Sequence, residues 1–139
     1  MYSGNGDKFH ILLADDHPLM RRGIRRLIEE NQELVVVGEV SDGQELLEFL
    51  ERHVPHLAIV DLSMPRVGGL EATQRAKASH PQLKVLILTM HKNKEYLAEA
   101  RAAGAEGYLL KEVMDLELHL AIAALRQGDT YFCNLFPRI

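Results

Sequence analysis

The sequence predicts an α/β domain built on a doubly wound, five-stranded parallel sheet with five covering helices. Three observations lead there. Short runs rich in Val, Ile and Leu recur without strict polar alternation, as strands buried on both faces require. Amphipathic segments with helical spacing separate them, so strand and helix alternate strictly. Right-handed crossovers between parallel strands then place helices on both faces of the sheet. The chain has 139 residues, 47% of them apolar, enough for one domain with a sizeable core.

The first strand is FHILLA (9–14). Pro18 suits the first turn of the helix that follows, with Asp16 or His17 as its cap and Met20, Ile24, Leu27 and Ile28 as its inner stripe. LVVVGEV (34–40) is the second strand; SDG (41–43) turns the chain into a helix lined by Leu46, Leu47, Phe49 and Leu50. LAIVD (57–61) precedes a weaker, more polar helix whose inner face is Leu70, Thr73 and Ala76 or Ala78. KVLILT (84–89) leads to a helix lined by Leu97, Ala100 and Ala103, stopped by AAGAEG (102–107). GYLLK (107–111) is the fifth strand, and Leu116, Leu120, Ala123 and Ala124 are expected to face inward from the last helix. No repeat, low-complexity stretch or linker precedes about residue 128.

Composition narrows the function. A formal net charge of −4 argues against a domain that binds nucleic acid over its whole surface, which needs clustered Lys and Arg. Cys133 is the single cysteine, so neither an internal disulfide nor a cysteine zinc site is expected. MYSGNGDKFH is too polar for a signal peptide, and no apolar run nears the roughly 20 residues that span a bilayer. The expectation is a cytoplasmic domain without membrane contact. His53-x-x-His56 has metal-like spacing, but Pro55 breaks the helical geometry and no further ligand follows.

In open α/β sheets, sites form beyond the carboxyl ends of the strands, where strand order reverses. Just after the apolar runs stand Asp15 and Asp16, Asp61, Thr89 and Lys111. Three carboxylates on one rim raise one another's pKa unless a cation intervenes. Mg²⁺ fits, since it takes oxygen ligands and commonly pairs one or two carboxylates with a phosphate. Lys111 brings a point charge and Thr89 a hydroxyl for phosphate oxygens. Asp61 is the carboxylate best placed to carry the phosphoryl group covalently.

The stretches LLADDHPLMRRGI, IVDLSMPRVGGLEA, VLILTM and GAEGYLLKE resemble the response-regulator receiver domains of two-component signalling, in the LuxR/NarL-type branch. The resemblance covers about residues 8–128. Any one stretch is a weak signal, whereas their order and spacing together are highly specific. It implies a flavodoxin-like fold with strand order 2-1-3-4-5 and Asp61 as phosphoacceptor. It further implies Mg²⁺, or Mn²⁺ in its place, on Asp16 and Asp61 directly, on Asp15 largely through water, and on the Ser63 carbonyl. Lys111 would pair with the phosphate. Thr89 and Tyr108 would form the switch, the hydroxyl moving to the phosphate and the ring swinging inward behind it. Met64-Pro65 and Gly68-Gly69 would shape the loop after Asp61, the glycines tolerating positive φ. Ser63 and His91 occupy positions whose side chains govern access of hydrolytic water, and so phosphate lifetime. Met90 is bulkier than the small residue common in receivers generally.

The implied partner is a sensor histidine kinase. Arg21, Arg22, Arg25 and Arg26 line the first helix either as a solvated face or as part of its docking surface. The implied output face is the fourth helix, fifth strand and fifth helix (about 93–125), through which a homodimer is one option. DNA would be reached only through a separate output domain. The tail TYFCNLFPRI (130–139) reads as the start of a linker, or as a segment packed back on the last helix. The competing function is a small Mg²⁺-dependent phosphohydrolase, disfavoured because position 63 is Ser where haloacid-dehalogenase-type phosphatases carry a second Asp.

Overall fold

The computed structural model describes residues 7–132. Six strands form one parallel sheet in the order β2-β1-β3-β4-β5-β6. They are β1 (Phe9–Ala14), β2 (Leu34–Val40), β3 (Leu57–Val60), β4 (Lys84–Thr89), β5 (Gly107–Leu110) and β6 (Tyr131–Phe132). Between them run α1 (Pro18–Glu29), α2 (Gly43–Arg52), α3 (Gly69–Ser79), α4 (Lys94–Ala102) and α5 (Met114–Arg126), the last entered through a 3-10 turn at Lys111–Val113. Strand order reverses between β1 and β3, which puts the switch point there.

The sheet separates two apolar cores. On one face Leu12, Val60, Ile87 and Tyr108 pack with Leu46, Leu50, Ala72 and Ala76 of α2 and α3 and Ala100 of α4. On the other Ile11, Leu13, Ile59 and Leu88 pack with Ile24 and Ile28 of α1 and Leu118, Ile122 and Leu125 of α5. β3 and β5 are buried along their whole length, which explains their unbroken apolar runs.

Local chemistry sets the helix starts. Pro18 opens α1, and His17 is its cap residue in extended conformation, without a side-chain capping bond. Asp42 caps α2 by accepting the Glu45 N–H at 2.8 Å. Asn93 caps α4 in the same way, through the Glu95 N–H.

Two expectations are corrected and two are refined. α5 buries Leu118, Ala121, Ile122 and Leu125, while Leu116 and Leu120 are 81% and 60% exposed. α3 buries Thr73 and Ala76 as expected, together with Ala72, and of the two alternatives Ala78 is the one left outside. Gly68 and Gly69 do not take positive φ; the left-handed residue of that loop is Arg66, at φ 65°. Gly69 is needed because a Cβ there would stand 2.2 Å from the Asp61 carbonyl oxygen. The tail, for which a linker and a segment packed back on the last helix were both open, begins with a short strand: Tyr131 and Phe132 of β6 pair with Gly107 and Tyr108. Cys133 and the rest of the tail lie outside the described residues. No helix among the described residues is long and apolar enough to cross a membrane.

Candidate functional site

The parallel ladder continues one residue past β1 and β3. The Asp15 N–H donates to Val40 O at 3.1 Å, and the Asp61 N–H to Ala14 O at 2.9 Å. Asp15 and Asp61 are thereby set side by side at the switch point, both buried. Lys111 opens the 3-10 turn after β5 and sends its buried ammonium back across the rim, to 2.9 Å from Asp15 Oδ2 and 3.6 Å from Asp61 Oδ1. Thr89 ends β4 fully buried, its hydroxyl accepting the His91 N–H at 3.1 Å.

His17 completes the group, a role the sequence reading did not assign it. Its Nδ1 lies 2.9 Å from Asp15 Oδ1, 3.0 Å from Asp16 Oδ1 and 3.9 Å from Asp61 Oδ2. The only local signal was its place directly after the acidic pair. Asp15, Asp16, His17 and Asp61 offer ligand atoms that all lie within 4.8 Å of one another. The His17 imidazole is held above its ordinary pKa by its hydrogen bond to Asp15 and by the charge of Asp16. Burial holds the Asp61 carboxyl above the usual carboxylate range; Lys111 pulls it down and Asp15 pushes it up.

Two oxygens decide what the pocket accommodates. Asp16 Oδ1 and Asp61 Oδ2 are buried and accept no hydrogen bond. Orphaned carboxylate oxygens are costly, and here they face one point beside a third carboxylate. A hard divalent cation with oxygen ligands fits that donor set. Asp15 is already engaged by Lys111 and His17, which suits it less to direct ligation than Asp16 or Asp61.

Around the pocket, Ser63 Oγ and His91 Nε2 meet at 3.2 Å, and the His91 ring leans on Tyr96 with centroids 4.8 Å apart. Tyr108 is fully buried and its hydroxyl donates to the His91 carbonyl at 2.7 Å. The inward position is the one this structure holds. The loop after Asp61 is fastened to the start of α2: Arg66 makes a two-pronged contact with Asp42, at 2.8 and 3.2 Å, and the Gly43 N–H donates to Val67 O. The Arg66 guanidinium holds the Asp42 carboxyl below its ordinary pKa. Residues 24 positions apart carry no local signal of such a clamp.

The arginine strip divides. Arg21 donates to the Asp15 carbonyl at 2.6 Å and pairs with Glu39, and Arg25 pairs with Glu29 and Glu39. Arg22 and Arg26 point to solvent. At the other end of the sheet, His56 uses Nδ1 to accept the His10 N–H at 2.7 Å, which suits a structural role for that histidine.

Fold and pocket together define a doubly wound domain with an acidic, lysine-backed pocket at its switch point. The sequence profile of the response regulator receiver domain matches residues 11–123. The transcriptional regulatory protein DegU of Brevibacillus brevis is 36% identical over 127 residues, 91% of this chain and 54% of its own length. The response regulator UvrY of Escherichia coli K12 is 37% identical over 90% of this chain and 57% of its own. Among solved structures, a LuxR-family two-component response regulator from Aurantimonas sp. SI85-9A1 aligns with a TM-score of 0.86 at 36% identity, covering 90% of this chain and 89% of that one. The isolated receiver domain of RcsB from Salmonella enterica serovar Typhimurium, solved with the phosphomimetic BeF3-, aligns at 0.86 and 32% identity, covering 93% and 96%. The chain belongs to the response regulator receiver domain family. It spans little more than half the length of these curated relatives.

Proposed function

We propose that this chain is the cytoplasmic, phosphorylation-controlled switch of a two-component response regulator, with Asp61 as phosphoacceptor and a sensor histidine kinase as donor. The observation that carries the reading is Asp61 itself: buried, 3.6 Å from Lys111, with one carboxylate oxygen lacking any hydrogen-bond partner. The Asp61 carboxylate attacks phosphorus on a phosphohistidine through one oxygen, leaving the other for the cation. A P–O bond forms as the P–N bond breaks, and the electron pair leaves with the imidazole nitrogen. Asp16 and Asp61 would hold Mg²⁺ directly, with the Ser63 carbonyl, and Asp15 through water. When bound, the ion neutralises charge on the transferring phosphoryl oxygens.

Lys111 pairs with one phosphoryl oxygen and holds Asp61 in place. Thr89 turns its hydroxyl toward another. Ser63 and His91, already in contact over the mouth, limit the approach of the water that later attacks phosphorus, releases inorganic phosphate and restores the Asp61 carboxylate. Beyond this self-phosphorylation and its reversal, no enzymatic turnover is proposed. Residues 8–128 form the receiver unit, and residues 129–139 begin the connection to a separate output domain that controls transcription.

Incubation with acetyl phosphate and Mg²⁺ tests the reading. A lasting adduct that tolerates acid, is cleaved by hydroxylamine, and is absent from Asp61→Asn is expected. Rapid turnover of many phosphate esters without an adduct would instead mean a phosphohydrolase.

A further inference from the structure

The edge of β5 is occupied by the chain's own continuation. The Tyr131 N–H donates to Glu106 O at 3.0 Å, and Phe132 stands in register with Tyr108. Each face of this short strand is held by a different helix. The guanidinium of Arg101, on α4, sits 4.3 Å from the Phe132 ring centroid, while the Tyr131 hydroxyl donates to Glu117 of α5 at 2.7 Å. Gly107 makes room, because a Cβ there would come within 3.0 Å of Tyr131 O.

We propose that β6 is a docked exit strand whose attachment to β5 is tied to the inward position of Tyr108, so that a phosphoryl group on Asp61 tightens β6 and its loss loosens it. The inference rests on Asp61 being the phosphoacceptor. Tyr108 and Phe132 project from neighbouring strands onto the same face, and both pack in the same core. Neighbouring strands lie about 4.8 Å apart, so a Tyr108 ring turned away from the core toward the sheet edge meets Phe132 and the arginine above it. Inward ring with docked strand, and outward ring with undocked strand, are the compatible pairs. The inward ring is fastened toward the site through its hydroxyl bond to the His91 carbonyl at 2.7 Å, and His91 through its amide to the Thr89 hydroxyl at 3.1 Å. A Thr89 hydroxyl drawn to a phosphoryl oxygen fixes that chain of contacts, and with it the seat of Phe132.

Coupling of this kind is reciprocal: whatever loosens β6 must weaken occupancy of the site by the same factor. It also gives the chain beyond residue 132 a mechanical connection to the site through the sheet edge, independent of any contact made by the exposed faces of α4 or α5.

The test is backbone hydrogen exchange by NMR on the full chain, with Mg²⁺, with and without beryllofluoride. In the wild type the Tyr131 amide is expected to exchange at least about fivefold more slowly when beryllofluoride is bound, the lower end of ordinary coupling. Tyr108→Phe keeps the ring and removes the tether; beryllofluoride still shifts the resonances around Asp61, but the slowing at Tyr131 is lost. Arg101→Ala and Phe132→Ala, both outside the site, raise the apparent Kd for beryllofluoride several-fold. Binding at Asp61 without any change at Tyr131, an undiminished response in Tyr108→Phe, or an unchanged Kd in both edge variants overturns the coupling alone. Failure of beryllofluoride to perturb the Asp61 surroundings at all overturns the phosphoacceptor reading and the coupling with it.

Discussion

The two ends of the sheet treat charge in opposite ways. At the amino ends of the strands Lys77 donates to Pro81 O and Leu83 O and pairs with Glu106, which in turn accepts the Val85 N–H. His56 and His10 exchange backbone and ring bonds, the His56 N–H donating to His10 O and the His10 N–H to the His56 ring. These polar groups are matched, and they tie α3, β4 and β5 together. At the carboxyl ends, three carboxylates share one lysine and one histidine, and two buried oxygens accept no hydrogen bond. These groups at the base are satisfied by the protein; the two oxygens at the rim are left open to something added. Such a local conflict is of the kind functional sites keep, and it accords with the cation and phosphoryl group proposed for this pocket.

That contrast is open to direct attack, beginning at the rim. Asp61→Asn should abolish phosphoryl acceptance completely, since the amide has no anionic oxygen with which to attack phosphorus. The same change should raise the melting temperature of the metal-free protein, because burial and Asp15 disfavour the ionised carboxylate it replaces. A lower melting temperature would mean that the rim is not under electrostatic tension.

Lys77→Met should do the reverse at the base. It strips Glu106 and two carbonyls of a partly buried partner and should cost about 2–3 kcal/mol in urea unfolding, while Mg²⁺ affinity changes less than about twofold. A large change in Mg²⁺ affinity would show that the two ends are not independent.

Mg²⁺ should stabilise the wild type by about 1.4 kcal/mol at a concentration ten times its Kd, which is expected in the millimolar range. Asp16→Ala should remove that gain, as thermal melts with and without the ion would show; tight binding that survives the substitution would contradict the ligand set.

The smallest effect concerns pH at the base. Burial, then the neighbouring His10, lowers the His56 pKa from its ordinary 6.5. A base whose folded pKa is depressed binds fewer protons folded than unfolded. Its contribution to stability is therefore complete above the unfolded value and lost as pH falls below it through the folded value. His56→Asn keeps an acceptor for the His10 N–H and cannot titrate, so the fall in melting temperature on acidification below about pH 6.5 should be shallower in that variant. Parallel slopes would assign the acid sensitivity to other groups.

The sequence by itself determined the β/α alternation, the first five strand positions and the rim residues, because strands buried on both faces must be unbroken apolar runs and parallel topology sends their carboxyl ends to one side. Asp15, Asp61, Thr89 and Lys111 were legible as neighbours for that reason alone, although their separation in sequence reaches 96 residues for the Asp15–Lys111 pair. Tertiary structure decided the rest. On α5, Leu116, Leu120, Ala123 and Ala124 satisfy helical spacing as well as Leu118, Ala121, Ile122 and Leu125 do, so only the position of the sheet selects the second set. The Arg66–Asp42 clamp, the pairing of Arg21 and Arg25 with Glu39, and the place of His17 among the carboxylates all depend on residues meeting across elements. β6 is two residues long, too short for periodicity to show; it is a strand because β5 offers an unpaired edge and Gly107 lets another backbone approach it.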